Sequence, residues 1–348
     1  MPPGKTMLPG ILRVALLASL IAGCEAGYVL EQGWRQLRMS SRQVPIDSLE
    51  LAGKLSMDSM EKLRWVPRVL DFCRKELDLD PGDSYQTYLD TGGRPISYVV
   101  TAAHPLALVA YEWHFPFVGN VPYKGYFDEE DARAEALYLS GERYDVDVLP
   151  VGAYSTLGWF SDPILSGMLE GSVANLLDLI IHEATHRTVY FPGRASFNES
   201  LATHVAREGT VRFLMSHEEL RPQLPAYLAG RKKSLEREQL LLRLRNDLDA
   251  LYRSKETEGA KMERKREIFR SAADAYRRLD PRNGLEDFPP SNAFVLSVAW
   301  YHEFQRLLVR LQEHLGGNPS NLMAYLKGLP RSEDPLPAIQ EELSPGTP

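Results

Sequence analysis

Cysteine is almost absent from this chain, whose 348 residues contain only two, Cys24 and Cys73. So low a count excludes a small scaffold held by several disulfides, and the folded part must be stabilised by an apolar core or a bound metal.

Basic residues are not in excess over acidic residues. The formal net charge of −7 excludes a general nucleic-acid-binding protein, because no surplus of lysine and arginine can displace counterions from phosphate. The sequence also has no internal repeat and no apolar run long enough to span a membrane.

The N-terminus has the pattern of a targeting segment. Lys5 and Arg13 supply positive charge, the short apolar core "VALLASLIAG" follows, and Cys24 comes directly after it. The segment "IAGC" resembles the lipobox of bacterial lipoproteins, in which the cysteine thiol is acylated and becomes the new N-terminus. The resemblance implies that residues 1–23 are a cleaved signal peptide and that Cys24 is the lipidation site. The alternatives are a plain signal peptide and an uncleaved anchor.

Lipidation would attach the mature protein to a membrane of the bacterial cell envelope. Glu25 follows the cysteine, in place of the aspartate that favours inner-membrane retention in enteric bacteria. We therefore expect the outer membrane, with the protein facing the periplasm. Cys73 would then be the only free thiol, and we expect it to be a small buried hydrophobic residue and not a nucleophile.

The spacing of apolar residues predicts a mostly helical α+β fold. Helical spacing covers "GYVLEQGWRQLRMSSR" and the region around Leu63 to Cys73. From Ser84 to Tyr154, glycine and proline separate segments rich in tyrosine, valine and phenylalanine, which predicts a small antiparallel sheet. One helix, "DEEDARAEALYLSGER", interrupts that sheet, and its acids lie in the first turn as a helix dipole prefers. From Leu176 onward the pattern is helical again.

The charged segment from Lys232 to Leu279 predicts an antiparallel helical hairpin. Its apolar residues fall on two seams, with "TEGA" between them: Leu241, Leu244, Leu248 and Leu251 on the first, and Phe269, Ala272, Tyr276 and Leu279 on the second. Each stripe is too short for a long dimeric coiled coil, so we interpret the charges as a solvated face. A final pair of helices is expected at about 291–328, followed by a disordered, proline-rich tail.

The segment "LLDLIIHEATHRTVY" contains the residues with the clearest chemistry. His182 and His186 are four apart, so an α-helix places both on one face, where they can bind one ion. Glu183 lies beside them. In such an HExxH pattern the histidines bind Zn²⁺ and the glutamate accepts a proton from metal-bound water. Two buried histidines without a metal are the alternative, at the cost of burying polar groups.

A hydrolytic zinc site needs a third protein ligand, and Glu199 is the candidate. The segment "FNESLATHVAREG" is expected to open a second helix that folds back over the first, with Ser196 or Asn198 near its N-cap. Its beginning resembles the NExxA signature of gluzincin metallopeptidases, in which that glutamate binds zinc. His204 and Glu208 are alternative third ligands.

The resemblance extends well beyond the zinc motif. The family resemblance rests on the lipobox and the segments "GYVLEQGWRQL", "FPFVGNVPYKGYF", "VGAYSTLGWFSDPIL", "HEATH", "FNESLATHVAREG" and "SNAFVLSVAWY". Together they resemble a bacterial family of predicted aminopeptidases, which are often lipoproteins. The resemblance covers about Cys24 to Leu326. It implies a zincin-like catalytic domain, a gluzincin-type zinc site and a peptide substrate.

Two further elements have roles by analogy with gluzincin-like enzymes. The segment "DVLPVGAYSTLGWF" is expected to be the edge strand along which a substrate backbone lies, or else an ordinary core strand. Only "GA" remains of the GAMEN motif that holds the substrate amine in some aminopeptidases, so this motif does not predict exopeptidase specificity for the chain. A hydrolytic zinc site also needs a donor to the developing oxyanion, and Tyr301 is the candidate, with His302 beside it; packing of Tyr301 in the core is the alternative.

Taken as a whole, the sequence predicts a zinc-dependent peptidase, with Glu183 and Tyr301 as catalytic residues and a peptide as substrate. The alternative is an inactive, metal-stabilised envelope scaffold that would use the hairpin as a partner surface. The predicted parts are the signal peptide 1–23, a region 24–220 with the N-terminal helices, sheet and zinc-site helices, a region 221–328 with the hairpin and C-terminal helices packing on the catalytic part, and the tail 329–348.

Overall fold

Helices form most of the computed structural model, which describes residues 41–52, 55–115, 119–151, 161–279, 291–300 and 303–344. The chain divides after Gln43 into two units, and every element below lies in the second, Val44–Pro348. Within the described residues, no helix is both long enough and apolar enough to cross a membrane. Cys24, Tyr301 and His302 lie outside the described residues, as do residues 152–160, so the roles assigned to them stay predictions.

The elements of the described residues are numbered in chain order. The helices are α1 (Ile46–Ala52), α2 (Met57–Glu76), α3 (Glu129–Gly141), α4 (Val173–Thr188), α5 (Ala195–Ser216), α6 (Leu224–Arg253), α7 (Glu258–Leu279), α8 (Asn292–Trp300), α9 (Gln305–His314), α10 (Pro319–Gly328) and α11 (Pro335–Glu342). The strands are β1 (Val44–Pro45), β2 (Thr87–Leu89), β3 (Ser97–Ala103), β4 (Trp113–Phe115), β5 (Gly119–Val121), β6 (Tyr123–Tyr126), β7 (Asp145–Val151) and β8 (Ile164–Leu165). Short 3₁₀ helices cover Ser166–Leu169 and Arg221–Gln223.

The strands form three small sheets where the sequence predicted one. The sheet with order β6-β3-β7 is antiparallel, and so is the β4-β5 pair. In the sheet β1-β2-β8, however, β2 pairs with β8 in parallel. The pairing joins Tyr88 to Ile164 and Leu89 to Leu165, across a stretch of chain that includes two other sheets. Local alternation of residue types could not reveal a partner so distant in the sequence.

The core around the candidate site lies between α2, α4 and α5. Ser172 caps α4 and forms a reciprocal pair of hydrogen bonds with Asn175. The apolar face of α4 is buried through Leu176, Leu177, Ile180 and Ile181. Helix α5 approaches closely at Gly209, where a Cβ atom would lie 2.8 Å from Leu77 Cδ1 and 3.1 Å from Ile181 Cδ1. The absence of a side chain there allows the two long helices to pack at short distance.

The predicted helical hairpin is confirmed as α6 and α7. Its two apolar seams meet in one buried cluster, which contains Leu241, Leu244, Leu248, Phe269, Ala272 and Val295. The first helix ends at Arg253, and the second begins at Glu258, so most of "TEGA" belongs to the second helix. The prediction for the loop was displaced by a few residues because Gly259 is tolerated in the first turn of α7.

The expectation of a disordered tail over 329–348 is wrong for the described part. Helix α11 begins with Pro335 after the cap residue Asp334, whose carboxylate accepts a hydrogen bond of 3.1 Å from the Leu336 amide. Ile339 is fully buried. Proline has no amide hydrogen to lose in the first turn of a helix, so a proline-rich segment can start a helix as well as prevent one.

Candidate metal centre

Helix α4 presents His182 and His186 one turn apart on the same face. Both imidazoles direct Nε2 to the same point, and these two nitrogens lie 3.1 Å apart. His186 is 6% exposed, and its Nδ1 atom is buried with no hydrogen-bond partner in the described part of the chain. The rings meet edge to face, with centroids 4.7 Å apart. The helix alone therefore brings two nitrogen donors together.

Helix α5 supplies the third group, and Asn198 fixes the turn between α4 and α5. The Asn198 side chain accepts a hydrogen bond from the Phe191 amide at 2.9 Å and donates one to the Phe191 carbonyl at 2.8 Å. Asn198 is only 1% exposed. The sequence had suggested Ser196 or Asn198 as an N-cap, and this was wrong, because α5 begins at Ala195 and Arg194 provides no side-chain cap. Asn198 instead closes the turn that positions the next residue, Glu199.

The Glu199 carboxylate completes a compact triangle of donor atoms. Its Oε2 lies 3.4 Å from His182 Nε2, and its Oε1 lies 3.5 Å from His186 Nε2. Zinc bonds of about 2.0–2.1 Å in tetrahedral directions would put neighbouring donor atoms roughly 3.3–3.4 Å apart. The observed spacings match that value, and two imidazoles with a carboxylate form a donor set that suits zinc. Among the described residues, these three side chains are the group that could hold a metal ion.

The pKa values of Glu199 and His182 are shifted by their mutual interactions within the triangle. Burial would raise the pKa of the Glu199 carboxyl, but hydrogen bonds and charge from His182 and His186 outweigh burial and hold the pKa well below its usual range. Burial would lower the pKa of His182, yet the hydrogen bond to Glu199 and the nearby charges of Glu183, Glu199 and Asp178 raise it. The carboxylate is therefore kept ionised, as a metal ligand must be.

His204 and Glu208, the alternative third ligands, lie elsewhere on α5. His204 is buried, and its Nε2 lies 2.9 Å from Gln312 Oε1 on α9. Glu208 forms an ion pair of 3.5 Å with Arg231 on α6. Neither residue belongs to the group formed with the two histidines. Both side chains instead link α5 to neighbouring helices.

A cavity of about 610 Å³ lies against the face of α4 that carries His182 and Glu183. Its other walls are the loop after β2 and the 3₁₀ helix Ser166–Leu169. Two hydrogen bonds of 3.0 Å between Thr91 and Ser166 join these walls. The lining residues include Arg94, Pro95, Met168, Glu170, Asn175, Asp178 and Leu179. Glu183 thus lies on a cleft that reaches the first histidine.

Two residues near Glu183 were missed by the sequence analysis. Tyr85 is buried and has a φ of 66°, an uncommon conformation for a residue with a bulky side chain. Burial, and next the charge of Glu183, raise the pKa of Tyr85, so its hydroxyl stays protonated near that carboxylate. Asp178 lies one helical turn before His182 and lines the same cavity. Its spacing of four residues from His182 was the available signal.

The predicted substrate strand corresponds in part to β7. In the sheet order β6-β3-β7, this strand pairs with β3 and stands at the edge of its sheet within the described residues. The continuation "GAYSTLGWF" lies outside the described residues. The contact between a substrate and this strand therefore stays a prediction.

The fold and the site define the class of this protein as an α+β protein with a candidate metal centre. Two histidines and a carboxylate can hold a metal ion, and a second carboxylate, that of Glu183, belongs to a residue lining the adjoining cleft. The family model described as "Putative aminopeptidase" matches residues 27–335. The chain belongs to this family. No curated protein and no solved structure matches the chain.

Proposed function

We propose that this protein is a zinc-dependent aminopeptidase with a zincin-like catalytic domain of gluzincin type. The observation that carries the proposal is the triangle formed by His182, His186 and Glu199, with donor atoms 3.1–3.5 Å apart, beside a cleft that contains Glu183. Membership of an aminopeptidase family supports the same reaction. Metal-assisted peptide hydrolysis uses a metal-binding group beside a general base, and the lining of one cavity by His182 and Glu183 supports that arrangement.

His182, His186 and Glu199 would hold the ion through two nitrogen atoms and a carboxylate. When bound, zinc supplies Lewis acidity, which polarises the scissile carbonyl group and lowers the pKa of a water molecule. With three protein ligands, a fourth position is left for water or substrate. Ile181 and Ala184 are buried on α4, so the helix that carries the two histidines is held firmly in the core.

Glu183 would act as the general base. Its carboxylate lies in the cleft and next to a histidine ligand, so it can accept a proton from the attacking water and return that proton to the leaving amine. Tyr85, whose hydroxyl stays protonated, lies close enough to interact electrostatically with this carboxylate. No covalent bond between enzyme and substrate is needed in this sequence of steps.

Glu183→Gln separates catalysis from metal binding, because an amide of nearly the same size cannot accept the proton. We expect the variant to fold, to retain zinc and to lose activity by about a hundredfold to ten-thousandfold. The assay uses the purified, zinc-loaded chain with aminoacyl reporters and a peptide library. Glu170→Gln, which removes a different carboxylate from the same cleft, is the matched control.

Three outcomes are informative. Loss of hydrolysis in Glu183→Gln with unchanged zinc content supports the proposal. Equal hydrolysis by parent and variant would show that Glu183 is not the base. A zinc-loaded parent that cleaves no peptide would contradict peptidase function and favour a metal-stabilised scaffold.

A further inference from the structure

Asp178 lines the cleft but has no role in the proposed mechanism. It lies four residues before His182 on α4, which corresponds to an axial separation of about 6 Å at 1.5 Å per residue. Residues four apart lie on the same face of a helix, and both side chains line the same cavity. Asp178 is thus held one turn before the candidate metal ligand His182, and it lines the cavity that a substrate would occupy.

Two neighbouring helices fix one oxygen of this carboxylate. Tyr227 of α6 donates its hydroxyl hydrogen to Asp178 Oδ1, and Thr210 of α5 donates to the same oxygen at 3.5 Å. Burial, followed by the charge of Asp178, raises the pKa of Tyr227, so the hydroxyl remains a donor. For Oδ2, the described part of the chain provides no hydrogen-bond donor. An anchored carboxylate with one free oxygen is prepared to receive a donor from outside the protein.

The charge balance of the cleft favours a cation as that donor. Three of its lining residues are acidic, namely Glu170, Asp178 and Glu183, and Arg94 is the one lysine or arginine among the residues lining the cavity. Glu183 is required for proton transfer. Glu170 is exposed at the end of its 3₁₀ helix and has no hydrogen bond to its side chain in the described part of the chain. Asp178 is therefore the one of these three carboxylates that is oriented by hydrogen bonds and has no role in the proposed mechanism.

The α-ammonium group and the first carbonyl group of a peptide are spaced so that they can reach Asp178 and the metal centre together. In a peptide with a free N-terminus, the ammonium nitrogen is separated from the first carbonyl carbon by one Cα atom, a distance of roughly 2.5 Å. A carboxylate about one helical turn from the metal ligands can thus bind the ammonium group while the carbonyl group lies at the metal centre. An endopeptidase substrate has an amide at that position and offers Asp178 Oδ2 no ammonium group.

We propose that Asp178 binds the α-ammonium group of the substrate and so restricts the enzyme to the N-terminal peptide bond. This inference rests on the proposed function and assigns exopeptidase specificity to one residue. Tyr227 acts as the positioning residue, because its hydroxyl orients the carboxylate. The substrate class is a peptide with an unblocked N-terminus.

Calorimetric binding tests the proposal without relying on turnover. The probes are leucine hydroxamate, which has a metal-binding group and a free α-amine, and its N-acetyl derivative. For the zinc-loaded parent we expect the free amine to bind about ten to a hundredfold more tightly, as is usual for a hydrogen bond between charged groups. In Asp178→Asn this preference should fall to near one, whereas Glu170→Gln should preserve it. Zinc content and the thermal midpoint are measured for every variant.

The outcomes separate this inference from the proposed function. Equal binding of the two probes by the parent would overturn the role of Asp178 without contradicting the proposed metal centre. A preference lost in Glu170→Gln and kept in Asp178→Asn would also overturn it. If neither probe binds to a zinc-loaded parent, the peptidase proposal fails, and the inference fails with it. Should Asp178→Asn not fold, Tyr227→Phe retains the carboxylate and its Thr210 hydrogen bond but removes the one from Tyr227, and the preference should then fall part of the way. An unchanged preference in Tyr227→Phe would contradict the positioning role.

Discussion

Two clusters of buried and half-buried polar side chains differ in how their hydrogen-bonding groups are satisfied. The hairpin junction consists of Lys265, Asp145, Asn292 and Tyr252, and it connects α7 and α6 to β7 and α8. The metal centre consists of His182, His186 and Glu199. In the junction each donor meets an acceptor within the protein. In the metal centre three lone-pair-bearing atoms converge on one point, which is the arrangement that a cation satisfies.

The hairpin junction is a closed network. Lys265 Nζ donates to Asp145 Oδ2 and, at 2.9 Å, to the Pro105 carbonyl. The Asn292 amide donates to the same Asp145 oxygen at 2.8 Å, and the Tyr252 hydroxyl donates to Asn292 Oδ1 at 2.7 Å. Burial lowers the pKa of Lys265, and the hydrogen bond and charge of Asp145 oppose that shift. Nothing in this geometry calls for a ligand, so we assign the junction to stability.

The metal centre is an open network by comparison. The spacings of 3.1–3.5 Å bring two nitrogen atoms and a carboxylate together at one point, at the separations that a single metal ion requires. The comparison teaches that polar clusters indicate a metal when their lone-pair-bearing atoms converge at such separations, and not merely because the side chains are removed from solvent.

The largest effect on folding is expected from breaking the closed network. Lys265→Met removes one partner of a buried ion pair and leaves Asp145 without its cation, so the free energy of unfolding should fall by about 3–5 kcal/mol. The Lys265 side chain is only 2% exposed. Chemical denaturation of the zinc-free protein measures the change. Zinc affinity of the folded protein should not change.

The control for that change is Arg253→Ala on the same hairpin. Its side chain is 80% exposed and pairs with Asp249 one turn away, so it should alter stability by no more than about 0.5 kcal/mol. Similar losses in the two variants would contradict the role of the junction as a buried network. A fall in zinc affinity in Lys265→Met would show that the two clusters are coupled.

A smaller loss of stability, now with a loss of metal, is expected from Asn198→Ala. The change leaves the buried amide of Phe191 unpaired, although the Phe191 carbonyl keeps a hydrogen bond of 3.1 Å from the Arg194 amide. It should lower the free energy of unfolding by about 1–3 kcal/mol. Because Asn198 fixes the turn that positions Glu199, zinc affinity should also fall about tenfold to a hundredfold. Competition with a chromogenic chelator measures that affinity. Asn321→Ala, at an exposed asparagine that donates to the Leu315 carbonyl, should leave zinc affinity unchanged, and equal effects would contradict the positioning role.

The sequence predicted the parts of the site that depend on local spacing. His182 and His186 are brought together by helix periodicity alone, and the next helix brings Glu199 to them as expected. The hairpin was likewise readable from its two apolar seams. What the sequence could not show depends on contacts between distant segments. The anchoring of Asp178 by Tyr227 and the parallel pairing of β2 with β8 are both of this kind.

Errors arose where one residue type supports two structures. Asn198 was interpreted as a helix cap, since asparagine is common there, but its amide instead satisfies both backbone groups of Phe191. The prolines near the C-terminus were interpreted as a sign of disorder, yet Pro335 begins α11. In both cases the deciding information is the position of a partner that lies outside the local pattern.

The central claim is that Glu199 completes a metal centre with the two histidines, and zinc content tests it most directly. The parent, Glu199→Ala and Glu208→Ala are loaded with zinc, passed through gel filtration and examined by elemental analysis. We expect about one zinc per chain in the parent and in Glu208→Ala, whose side chain pairs with Arg231, and a large loss in Glu199→Ala, which retains only two ligands. Full zinc occupancy in Glu199→Ala, or a folded parent that retains no zinc, would contradict the account.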